Sequence, residues 1–383
     1  MTRFTAACVQ LNVGTEIEPN LEQAGALIRR ARHAGADLIG TPENTGFIAQ
    51  GRAAILARAM AETQHPGLPY FAELARETGA TLLIGSLGIK LPDGKVANRS
   101  YLFGPSGEIL ARYDKIHMFD VDLAGGERYR ESAIFDPGDE AVVAPLPCGG
   151  TLGLTVCYDL RFPYLYRTLA QAGADILSVP SAFTRKTGMA HWHVLMRARA
   201  IETGSFVIAP AQTGAHDKGR LTYGHSLIVA PWGEVLADAG EDVGFVTAEI
   251  DLARVEEARS AVPALRHDRR VTPPRPPLRA AGDLSSPVAS SIFSPITQAA
   301  KWLRVRSAFG KQLAKERKAR ASLQYFGFSS LAEWDAAQRA LFASDDASVA
   351  YRQALYADAE AKTDDERAAS AERIRAAVAA LKA

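Results

Sequence analysis

Cysteine is scarce in this chain, with three in 383 residues. Cys8, Cys148 and Cys157 show neither a CxxC spacing nor the pattern of a disulfide framework, so a reduced, cytoplasmic compartment is the simplest reading. No apolar run is long enough to span a bilayer. Met1 to Val13 holds no sustained apolar stretch, because Gln10 and Asn12 interrupt it, and no secretory leader is expected. Neither sign of charge dominates: 44 Lys and Arg face 43 Asp and Glu, a net of +1. That balance argues against nucleic acid or a membrane surface as the main partner. Gly-rich phosphate loops and metal-spaced His/Cys clusters are also missing, so neither a cofactor nor a metal is expected. The composition is 47% apolar, enough to bury a sizeable core.

The chain changes character near residue 272. Up to that point apolar runs, glycines and helical stretches alternate as in an α/β protein. Beyond it, residues 273–297 are rich in Pro and Ser and read as a linker. Residues 298–383 read as a mostly helical extension, basic at first and then Ala-rich. Trp302 and Phe309 are interleaved with the basic residues. That stretch is compatible with binding an anionic surface, but an amphipathic helix docking on protein is the plainer reading.

The first 272 residues contain an internal echo. HAGADLIGTP at 33–42 resembles QAGADILSVP at 171–180. In both, a helix ends at a Gly and a short apolar strand ends at a Pro. ETGA at 77–80 is echoed by ETGS at 202–205, each ahead of an apolar strand, and LFGPSGEIL at 102–110 by IVAPWGEVL at 228–236. The last pair reads as hairpins whose turns need Pro and then Gly. Three echoes in one order imply two similar halves. The economical fold is two sheets face to face with helices outside, a four-layer α-β-β-α sandwich.

Four residues carry candidate chemistry. LGLTVCYD at 152–159 reads as a buried strand ending at Cys157, followed by a helix that starts near Pro163. On such an elbow a cysteine is exposed and its pKa is lowered by helix N–H dipoles; the alternative is a small buried hydrophobe. Glu43 follows the strand ending at Pro42 and suits a general base, or else is a solvated loop carboxylate. Lys115 follows the first hairpin, with apolar Ile116, Met118 and Phe119 after it. It is either a surface charge or a cation that steadies a thiolate and an oxyanion. Glu131 has no distinguishing local context.

In combination these segments become specific. Pro42-Glu43, YDKIH at 113–117 and VCYDLRFP at 156–163 resemble the three signature regions of the nitrilase superfamily. The resemblance runs from about Phe4 to Arg270. AHW at 190–192, RARAIE at 197–202 and YGHS at 223–226 resemble its Nit branch, amidases of deaminated glutathione and of ω-amides of 2-oxo acids.

The resemblance implies Glu43 as general base and Cys157 as the nucleophile that forms a thioester and releases ammonia. Lys115 and the Tyr158 N–H would hold the oxyanion, and Glu131 would position the substrate or Lys115. His191, Phe183 and Arg161 are candidate substrate contacts, although a salt bridge from Arg161 to Asp159 is the simpler reading of that arginine. His191 and His193 point differently on a helix, so they do not ligate a metal jointly. Relatives often carry Glu where His193 stands. The expected substrate is a small linear amide, deaminated glutathione first and 2-oxoglutaramate second. N-carbamoyl or N-acyl amine hydrolysis on the same scaffold remains open, as does an interaction role carried by the extension. The implied assembly is a homodimer or higher homo-oligomer, through 161–172.

Overall fold

The computed structural model describes residues 3–122, 128–269 and Glu372, Arg373 and Ala376. The linker at 273–297 and, those three residues apart, the extension at 298–383 lie outside the described residues.

The strands are β1 (Arg3–Gln10), β2 (Leu38–Gly40), β3 (Thr81–Lys90), β4 (Val96–Phe103), β5 (Ile109–Asp114), β6 (Asp120–Asp122), β7 (Arg128–Arg130), β8 (Val142–Pro145), β9 (Thr151–Leu154), β10 (Ile176–Ser178), β11 (Phe206–Ala209), β12 (Thr213–Ala215), β13 (Leu221–Tyr223), β14 (Leu227–Val229), β15 (Val235–Asp238) and β16 (Gly244–Asp251). The helices are α1 (Ile17–His33), α2 (Arg52–Arg58), α3 (Gly67–Thr78), α4 (Pro163–Gln171), α5 (Arg185–Thr203) and α6 (Ala253–Ala261).

Two sheets of six strands run in the orders β16-β1-β2-β3-β4-β5 and β15-β14-β11-β10-β9-β8. In the first, β1, β2 and β3 are parallel and the β4–β5 hairpin closes one edge antiparallel. In the second, β9, β10 and β11 are parallel and the β14–β15 hairpin does the same. The outer strands β16 and β8 pair antiparallel with β1 and β9. The sheets are one plan used twice, and the three echoes mark equivalent strands and turns.

Alternation along the strands produces the layers, since successive side chains leave opposite faces. Ala6, Cys8, Leu38, Leu83 and Leu102 join a core with Leu152, Leu154, Ile176 and Leu177 of the second sheet. Their neighbours Ala7, Val9, Ile39, Leu82 and Phe103 pack on Leu21, Leu27 and Ile28 of α1 and on Phe71 and Leu74 of α3. Leu165 and Leu169 of α4 and Trp192 and Met196 of α5 cover the second sheet. This is the α-β-β-α sandwich.

One glycine brings the strand ends together. A Cβ at Gly85 would lie 2.2 Å from the Thr41 carbonyl oxygen and 2.5 Å from Cβ of Pro180. A side chain there would push apart the two Pro-terminated strand ends that carry the site.

Candidate active site

The elbow after β9 begins with Val156 in extended backbone and turns at Cys157, whose φ is +50°. A short 3-10 helix, Cys157–Arg161, leads into α4 at Pro163. A residue with a Cβ pays roughly 1–2 kcal/mol in the left-handed region, so the surroundings must hold the turn. The Cys157 N–H donates to the Pro180 carbonyl at 2.9 Å. Asp159, fully buried, supplies the rest. Its carboxylate accepts from the Val156 N–H at 2.9 Å, the His117 N–H at 3.0 Å and the Tyr113 hydroxyl at 2.7 Å, with His117 Nδ1 at 2.6 Å. One carboxylate thus ties the Cys157 turn to the end of β5.

The expected Asp159–Arg161 salt bridge does not form, because Asp159 is fully engaged by these donors. Arg161 instead lays its guanidinium 5.4 Å from the Phe183 ring and 6.0 Å from the Tyr158 ring, and reaches His191 Nδ1 at 3.2 Å. Asp159→Ala would leave the Tyr113 hydroxyl and two backbone N–H groups without acceptors. Each orphan costs about 1–3 kcal/mol, so a loss of about 3 kcal/mol or more is expected. In a domain of this size that lowers Tm by about 6–12 °C. A melt coinciding with that of the parent would contradict this role.

Glu43, Lys115, Glu131 and Cys157 meet at one cavity of about 310 Å³, with Tyr158 and Phe183 also in its wall. That volume suits a small-molecule ligand. Glu43 is 3% and Lys115 2% exposed. Lys115 Nζ donates to Glu43 Oε1 and to both oxygens of Glu131, each at 2.9 Å. Glu43 Oε2 accepts the Ala182 N–H at 2.8 Å. Asn98 Nδ2 donates to Glu43 Oε1 at 2.9 Å and faces Glu131 Oε1 at 3.4 Å. Two carboxylates as neighbours fix the orientation of that amide. The Tyr158 N–H is at the second position of the 3-10 helix, where no intrahelical acceptor exists.

The electrostatics define the resting protonation state. Burial pushes the Cys157 thiol up and the Glu43 charge adds to this, so it sits well above its ordinary value despite Lys115. The lowered thiol pKa expected from the elbow is therefore corrected: the group is 8% exposed, and desolvation outweighs the N–H dipoles. Burial also works against the charged forms of Glu43 and Lys115. For Glu43 the Lys115 charge and hydrogen bond prevail and hold the carboxyl below its usual range. For Lys115 the charges of Glu131 and Glu43 prevail and raise it above its own. A neutral thiol thus faces an ionised Glu43 paired with an ionised Lys115.

Of the candidates from sequence, six line the cavity and two do not. His191 and Arg161 stand behind the wall, paired with each other. Asn98 escaped sequence reasoning, since an Asn in a strand carries no chemical signal until the strand's register aims it at a carboxylate. Arg128 and Arg130 of β7 and Arg220 in the connection before β13, also in the cavity wall, likewise carry no local signal.

Comparisons with known proteins agree with this geometry. The carbon-nitrogen hydrolase family model matches residues 5–260. The chain is 42% identical to the deaminated glutathione amidase of Synechocystis sp. over 271 residues, 70% of this chain and 98% of that protein. Saccharomyces cerevisiae Nit3, a member of branch 10 of the nitrilase superfamily, superimposes with a TM-score of 0.62 at 28% identity, over 68% of this chain and 95% of that one. An amidase from Nesterenkonia sp. AN1 superimposes with a TM-score of 0.58 at 28% identity, covering 68% and 95%. Its Glu-to-Gln mutant carries the acetamide moiety of fluoroacetamide on the active-site cysteine. With the sandwich, the Cys–Glu–Lys constellation and these likenesses in agreement, the chain belongs to the carbon-nitrogen hydrolase family, within the nitrilase superfamily.

Proposed function

We propose that this protein, an amidase acting on non-peptide carbon–nitrogen bonds, uses Cys157, Glu43 and Lys115 to hydrolyse deaminated glutathione. The observation that carries this reading is the meeting of a neutral thiol, an ionised carboxylate and a buried ammonium at the wall of one cavity. Glu43 takes the thiol proton as Sγ attacks the amide carbonyl. The oxyanion is held by Lys115 Nζ and the Tyr158 N–H, and Glu43 then gives the proton to the leaving amine. A water activated by Glu43 next cleaves the thioester and frees the acid. Glu131 and Asn98 position Lys115 and Glu43 and do not touch the reacting atoms.

The substrate choice rests on the naming of the relative at 42% identity and on charge. Arg220 lines the cavity and its buried Nε has no hydrogen-bond partner among the described residues. A cationic donor left open in this way suits a substrate carrying carboxylates. Ammonia, the product expected from sequence, needs correcting for this substrate. The amide nitrogen of deaminated glutathione belongs to its cysteinyl residue, so the amine released is cysteinylglycine. A primary amide such as 2-oxoglutaramate would release ammonia. The products therefore separate the readings: cysteinylglycine should form with at least about tenfold higher kcat/KM than ammonia does from 2-oxoglutaramate. The reverse order would discard the substrate and keep the nucleophile.

We also infer a homodimer in the cytoplasm. Its support is exposed apolar side chains, Tyr164 on α4 with Met189, Val194 and Ile201 on α5. No helix among the described residues is long and apolar enough to cross a membrane. Sedimentation at twice the chain mass is expected; a monomer at micromolar concentration would contradict the assembly.

A further inference from the structure

We propose that His193, His225 and Asp238 form a binding site for a first-row divalent transition ion of the zinc class, separate from the catalytic machinery. His193 lies in the middle of α5, His225 in the turn between β13 and β14, and Asp238 at the end of β15. The Asp238 carboxylate sits between the two imidazoles. His193 Nε2 is 3.0 Å from Oδ2, while His225 Nδ1 is 2.9 Å from Oδ1 and 3.1 Å from Oδ2. One donor atom from each residue falls within 4.8 Å of the others, and no other group of three or more His, Cys, Asp or Glu gathers so among the described residues.

Two of the three donors are fixed in advance. The His225 backbone is held in the left-handed region at φ +56°. Its carbonyl accepts the Trp192 indole N–H at 2.8 Å, its own N–H donates to Gly240 O at 2.7 Å, and its ring stacks on Tyr223 at 4.4 Å. Asp238 Oδ1 also accepts the Gly240 N–H at 2.9 Å. The site is open to solvent, with the three side chains 35%, 21% and 32% exposed.

The donor set selects the ion. Two imidazole nitrogens and one carboxylate oxygen suit zinc and its neighbours, whereas magnesium and calcium require mostly oxygen. Tetrahedral bonds of about 2.0–2.2 Å place donors roughly 3.3 Å apart, close to the His–Asp spacings already present. The ion would replace both His–Asp hydrogen bonds, each imidazole keeping its proton on the other ring nitrogen. Water would take the fourth position. Such an ion would bolt α5 to the β14–β15 hairpin, and Thr187 of that helix lines the catalytic cavity. The partner of His193 is not its neighbour His191, which pairs with Arg161, but residues far along the chain.

The test is titration of the full-length protein with Co²⁺, followed by its visible absorption, in a Cys157→Ala background that removes the active-site thiol as a competing ligand. One Co²⁺ per chain is expected, displaced by Zn²⁺, with Tm raised on binding. His193→Gln and Asp238→Asn, made separately in case one fails to fold, should each weaken binding at least about tenfold. His191→Gln should leave it unchanged. No binding at about 1 mM Co²⁺, or equal affinity in the His193→Gln protein, would overturn the site and reduce the three residues to a hydrogen-bonded tie.

Discussion

Cys157→Ala is expected to abolish amide hydrolysis, a loss on the order of 10⁴–10⁶-fold in kcat, with the fold intact. The size follows from chemistry: without Sγ no thioester forms, and the remaining groups only polarise the carbonyl. The fold should survive because the elbow is held by others. The Cys157 N–H still meets Pro180, and Asp159 still gathers Tyr113, His117 and Val156. Alanine meets the same left-handed backbone strain as cysteine. A Tm within a few degrees of the parent, with no turnover, is the expected pair of results. Residual activity above one per cent would mean that another group performs the attack.

The second large effect is expected at Glu43. Glu43→Gln keeps the shape and removes the base, so kcat/KM should fall by about 10²–10⁴-fold. It also turns an NH₂ toward Lys115 and Asn98 or toward the Ala182 N–H, all of which are donors. Stability should therefore fall as well, because Lys115 then has Glu131 alone as counter-charge. The pH dependence distinguishes a lost base from a damaged fold. Glu43 is depressed below its ordinary 4.5, so its contribution to stability is present above 4.5 and lost as pH falls through the folded value. Lys115 is raised above 10.5, so its contribution is complete below 10.5 and lost as pH rises through the folded value. Between those limits the thiol is neutral and Glu43 ionised. The parent kcat/KM should accordingly be flat from about pH 5.5 to 9. The Gln variant depends on a rare preformed thiolate, and its residual rate should climb about tenfold per pH unit. A parent profile rising through pH 8.5 would contradict the general-base scheme.

How much of this could be read from sequence depends on the range of the interaction. The duplicated plan was legible because Gly35 and Gly173, or Gly79 and Gly204, sit at equivalent helix ends with positive φ, a local requirement that leaves a local mark. The meeting of Cys157, Glu43, Lys115 and Glu131 at one cavity was legible as a combination of segments. Their protonation was not, since the raised thiol depends on burial beneath two sheets and on the Glu43 charge more than 100 residues away in sequence. Arg161 was misjudged for the same reason. Asp159 is its near neighbour in sequence, but Tyr113 of β5 and His117 just after that strand occupy the carboxylate. Asn98 and Arg220 depend on strand register and loop course, which single residues do not announce.

The central claim, that Cys157 is acylated during turnover, is tested most directly by rapid acid quench of the parent with excess deaminated glutathione, followed by mass spectrometry of its peptides. The account predicts a 2-oxoglutaryl thioester on the peptide containing Cys157, absent from Cys157→Ala and formed more slowly in Glu43→Gln, where the thiol lacks its base. Cysteinylglycine release by the parent with no acyl group on Cys157 at any quench time, or an acyl group on another residue, would contradict it.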